Sequence, residues 1–79
     1  MRRGYIIRDR ARHAYLAGRV HQATKPGEEK PVTVWVKKPE QAWEFGKLKE
    51  CRRMQRLLRG ETWNPDAVQI IDPKWRIVT

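Results

Sequence analysis

The chain has 79 residues and a formal net charge of +9, from 18 Lys and Arg against nine Asp and Glu, which places its isoelectric point near 10.5. A chain this short forms a single small domain and buries only about 60 to 65% of the surface its unfolded form exposes, too little scaffold for a deep, water-excluded active site. Length therefore argues against enzymes, and charge argues for a partner rich in negative groups: nucleic acid first, then an anionic membrane surface or an acidic protein.

Residues 4–8 (GYIIR) and 14–17 (AYLA) are short β-branched and aromatic runs on either side of a polar connection, which reads as a hairpin. A helix over residues 9–16 is the competing reading, because Arg, Ala and Leu are good helix formers. Residues 19–31 carry no apolar period and contain Lys25-Pro26-Gly27, a turn signal, so they read as a mobile loop or as the tip of a long hairpin. Residues 32–37 (VTVWVK) form the clearest strand. Alternation puts Val32, Val34 and Val36 on one side as core candidates, with Thr33, Trp35 and Lys37 on the other, facing away from the helix.

Pro39 and Glu40 suit a first helical turn, where a proline nitrogen is not missed and the helix dipole favours an acid. The apolar residues that follow recur every three positions and would drift around one straight helix, so Gly46 is read as a break. This predicts a short turn over residues 39–45, with Trp43 and Phe45 in the core, and a main helix from about Lys47 to Arg59 capped by Gly60. Residues 67–71 (AVQII) and 75–79 (WRIVT) read as strands separated by a turn at Asp72-Pro73-Lys74. The order β-β-β-α-β-β implies an α+β domain in which one helix covers one face of a small, mostly antiparallel sheet.

On the main helix, Leu48, Cys51, Met54 and Leu58 share about a third of the circumference, and Lys49, Arg52, Arg53, Arg56 and Arg59 share another third roughly opposite. Like charges at i+3 and i+4 each cost a few tenths of a kcal/mol, so a row that tolerates several of them gains something from a partner. Arginine forks match phosphate or carboxylate in a bidentate way, and such contacts position a protein on a nucleic-acid backbone without reading its sequence. Trp35, beside Lys37 on its strand face, is the aromatic candidate for stacking on a base or anchoring a protein interface. Helix-turn-helix and zinc-finger patterns are absent from the sequence.

Catalytic and metal readings fail on inventory. His13, His21 and Cys51 are the only residues of their types, and their spacing fits no recognised metal site. No phosphate loop or nucleophile elbow is visible, so neither a cofactor nor a catalytic residue is expected. The only early apolar run, residues 5–7, is far too short for a signal-peptide core or a membrane span, and one cysteine allows no internal disulfide, so the expectation is a cytoplasmic protein away from membranes.

Gly4-Tyr5-Ile6-Ile7-Arg8-Asp9, Ala14-Tyr15-Leu16-Ala17, Val34-Trp35-Val36 and Pro39-Glu40-Gln41-Ala42-Trp43-Glu44-Phe45 together resemble a pattern in small phage and prophage proteins, covering residues 4–59. Those proteins often carry a glycine-containing tight turn where this chain has residues 9–13. In size and charge the chain is also similar to anti-CRISPR proteins, single small domains that occupy a surface of a CRISPR effector. That likeness implies a stoichiometric inhibitor of a host defence complex, in an infected or lysogenic bacterium, gripping an acidic protein or ribonucleoprotein surface. The alternative is an accessory protein that binds DNA or RNA backbone directly, and a virion assembly component comes third.

Overall fold

The structure, a computed structural model, describes residues 3–79, without the side chains of residues 21–24, 28 and 29. The side chain of His21, weighed above as a metal ligand, lies outside the described residues. Five strands form one antiparallel sheet: β1 Ile6–Asp9, β2 Ala14–Lys25, β3 Glu28–Val36, β4 Val68–Ile71 and β5 Ile77–Val78, ordered β3-β2-β1-β4-β5. The helix α1, Leu48–Glu61, joins β3 to β4 and packs on one face. The expected α+β class and element order hold.

The hairpin reading of the N-terminal segment is the one realised, and its turn needs no glycine. Asp9 is buried, and its Oδ1 accepts the backbone N–H groups of Ala11 (3.0 Å) and Arg12 (3.3 Å), so a side chain replaces the turn's missing backbone bonds. Its Oδ2 takes the Arg12 Nε–H at 3.1 Å, and His13 occupies the left-handed region, at φ 52°, that a glycine would otherwise fill. Residues 19–31 belong to a second, longer hairpin, turned at Gly27 with φ 86°.

The core lies between sheet and helix. Ile7, Leu16, Val68 and Ile70 meet Cys51 and Leu58 from α1 and Phe45 from the preceding segment. Each fully buried Ile or Leu in such a cluster stabilises the fold by about 1.5 to 3 kcal/mol relative to exposure. Gln55 is also buried on this face, where its amide donates to the Val68 carbonyl at 2.9 Å. Phe45 exchanges backbone hydrogen bonds with Tyr5, and a Cβ on Gly4 would stand only 2.5 Å from the Phe45 carbonyl oxygen, so Gly4 is what lets the two segments meet.

Four expectations are corrected. Leu16 pairs directly with Trp35, which turns Trp35 onto the helix side, where it packs against the core; Val32 (39% exposed) and Val34 (38%) lie on the opposite face. A two-residue period separates the sides of a strand, but only the cross-strand register decides which side is inside. Trp43 stacks on Phe45, with ring centroids 4.7 Å apart, yet remains 41% exposed, so only Phe45 joins the core. The short helical turn is confined to Pro39–Gln41, because residue 45 is drawn into the bridge with Tyr5. Finally, α1 runs through Gly60 to Glu61 and leaves through an extended Thr62, since Arg19 grips the Glu61 carboxylate and holds the last turn closed.

Candidate polyanion-binding surface

With Cys51, Gln55 and Leu58 buried, the side chains about 100° apart along α1 fall into two unlike flanks. On one flank, Glu61 receives two hydrogen bonds from Arg19 of β2, at 2.8 and 2.9 Å. These bonds hold the Glu61 carboxyl below the usual carboxylate range, against a smaller opposing effect of burial, and raise the Arg19 guanidinium correspondingly. The other flank carries Lys49, Arg52, Arg53, Arg56 and Arg59, all exposed. The ten residue steps from Lys49 to Arg59 correspond to about 15 Å of helix.

The three ion pairs among the described residues, Arg12–Asp9, Arg19–Glu61 and Arg76–Asp72, all use cations from outside this row. Among the described residues only Arg52 of the row reaches a protein oxygen, the Thr79 backbone carbonyl, at a long 3.4 Å. Leu48, Lys49, Arg52, Arg53 and Arg56 line an open groove along the flank. Four cationic side chains line it with no carboxylate beside them among the described lining residues, a chemistry suited to phosphate or carboxylate.

The two strand residues assigned to the partner surface are placed differently. Trp35 lies against the core under the Arg12 guanidinium, whose carbon stands 5.4 Å from the ring centroid, so it supports the fold from below. Lys37 is exposed but donates to the Arg12 backbone carbonyl at 3.0 Å, tying the end of β3 to the first turn. Neither shares the face of the cationic row.

The most exposed aromatic among the described residues is Trp63, at 91% just past the end of α1, ahead of Trp75 at 56% and Trp43 at 41%. Sequence reading passed over it because tryptophan in a small domain is ordinarily core. The available signal was its setting, a lone aromatic in the polar turn Glu61-Thr62-Trp63-Asn64-Pro65. Cys51 is fully buried, and burial pushes its thiol up to about 12, against a smaller opposing pull from the Arg52 charge. Among the described residues no three His, Cys, Asp or Glu side chains gather as a metal site would require, and no helix is long and apolar enough to cross a membrane.

Compared with known proteins, the chain matches no family model, no curated protein and no solved structure.

Proposed function

We propose that this protein is a non-catalytic, stoichiometric binder whose α1 row docks on the phosphate backbone of a nucleic acid, as presented by a ribonucleoprotein complex. The observation that carries the reading is the row itself: five exposed cations on one helix flank with no carboxylate partner among the described residues. Self-repulsion within the row costs stability, and a polyanion would remove that cost on binding. The likeness in size and charge to anti-CRISPR proteins, beside the resemblance to small phage proteins, supports the setting we propose, an inhibitor of a host defence complex in the cytoplasm of an infected or lysogenic bacterium.

Titrating the purified protein against labelled RNA, single-stranded DNA and duplex DNA across a salt series tests this reading. Micromolar or tighter binding at physiological salt is expected, with affinity falling by close to one logarithmic slope unit for each phosphate neutralised on a duplex. Reversing Arg52, Arg53 and Arg56 to Glu should weaken binding about a hundredfold or more while the melting temperature holds. Unchanged binding by that variant would remove the row as the site. Failure of the wild-type protein to bind any nucleic acid would redirect the row to an acidic protein surface, to be sought by pull-down on CRISPR effector complexes. Equal affinity for free nucleic acid and for such a complex would instead mark a general accessory protein.

A further inference from the structure

Trp63 sits in a turn with hydrogen bonds on both sides of it. Asn64 N–H donates to Thr62 Oγ1 at 3.3 Å, Pro65 fixes the chain beyond it, and Ala67 N–H closes onto the Asn64 carbonyl at 3.1 Å. The turn is also tied to the first hairpin, because Arg10 N–H donates to the Ala67 carbonyl at 2.8 Å. Both ends of its turn are held, and the ring is presented to water.

What surrounds it is polar, with one guanidinium paired to one carboxylate. Trp63 borders an open hollow shared with Asp9, Ala11, Arg12, Thr62 and Asn64, in which the Asp9 carboxylate holds the Arg12 guanidinium at 3.1 Å and over Trp35. Four residues before Trp63 in the chain stands Arg59, the last cation of the α1 row. The hollow lies on the Glu61 side of the helix end, and its flat aromatic face, fixed guanidinium and amide or hydroxyl groups fit the face and edge of a nucleobase better than an apolar side chain. A base inside a duplex is already stacked on both faces and offers no face to an indole. An unpaired base does.

Resting on the reading of the row as a phosphate-binding surface, we propose that Trp63 is a stacking platform for one unpaired nucleobase, so that the preferred ligand is single-stranded nucleic acid. The row would hold the strand's phosphates, and the hollow beside Trp63 would take a base where the strand leaves the helix. Stacking tolerates any base, so the preference is for single strands over duplex and not for a sequence.

The test compares a fluorescently labelled oligothymidylate with a labelled duplex of similar length, using wild type, Trp63→Ala, Trp63→Phe and the Arg52, Arg53, Arg56 reversal. Trp63→Ala should lose about tenfold or more in affinity for the single strand and keep the wild-type affinity and salt slope for the duplex. Trp63→Phe should recover part of the loss, while the tryptophan fluorescence quenching produced by the oligonucleotide in wild type should largely vanish. Equal single-strand affinity in wild type and Trp63→Ala, or equal losses on both ligands, would overturn the stacking platform. If the charge-reversed variant then still loses both ligands, the row survives without it. No wild-type binding to either ligand at low salt would overturn both. Trp63→Phe preserves an aromatic residue in the same turn, so a folding defect confined to the alanine variant leaves the quenching comparison decisive.

Discussion

The two flanks of α1 put charge to opposite uses. On the side toward β2, Glu61 and Arg19 form a paired, bidentate contact that joins helix to sheet. On the other, Lys49, Arg52, Arg53, Arg56 and Arg59 repel one another and meet none of the chain's carboxylates among the described residues. The carboxylates seen in ion pairs, Asp9, Glu61 and Asp72, hold a turn, a helix end and a second turn. These three carboxylates are thus placed for folding, while the five cations of the row have no carboxylate partner among the described residues.

Breaking a charge that serves the fold should have the largest effect. Asp9→Ala removes a buried acceptor of two backbone N–H groups and one guanidinium, and should destabilise the domain by about 2 to 3 kcal/mol. For a domain of this size that is a fall of about 10 to 20 °C in melting temperature, measurable by circular dichroism. A result under about 0.5 kcal/mol would mean that the turn does not depend on its side-chain acceptor. Next in size, a double-mutant cycle on Arg19 and Glu61 should give a coupling of at most about 1 kcal/mol, since the carboxylate is half exposed and screened. Because Glu61 titrates lower in the folded protein than in the unfolded chain, the coupling should be complete above its unfolded pKa, ~4.3, and disappear as pH falls through the folded value. A coupling that grows toward acid would contradict the geometry.

The smallest effect should have the opposite sign. Arg56 stands at i+3 or i+4 from Arg52, Arg53 and Arg59, so Arg56→Gln should raise stability by a few tenths of a kcal/mol at low salt, and the gain should shrink as salt is added. A loss instead would show that Arg56 holds the helix in place. Together with reversal of the row and replacement of Trp63, these variants separate the charges that build the domain from those that face a partner.

Much of the architecture was legible in the sequence because it rests on local periodicity. The alternation of residues 32–37 and the apolar stripe Leu48, Cys51, Met54, Leu58 each carry their own period, and the five cations follow from the same helical wheel. The inward side of a strand is not local. Trp35 and the valines exchanged places because the pairing of Leu16 with Trp35, across eighteen residues of intervening chain, decides the matter. Gly60 misled for a related reason: a C-cap preference worth a fraction of a kcal/mol gave way to the grip of Arg19 on the following residue. Trp63 could not be placed by composition, since whether an indole is core or surface depends on how the turn carrying it is fastened.

The burial of Cys51 gives the protein a built-in clock. It is the only thiol in the chain, has no exposed surface and resists ionisation until about pH 12, so a maleimide or disulfide reagent meets it only when α1 lifts from the sheet. Its rate of alkylation therefore counts openings of the domain directly, without denaturant. A ligand bound along α1 would slow that rate by the same factor by which it shifts the folding equilibrium, so occupancy of the cationic flank can be read from a sulfur atom on the helix's opposite side.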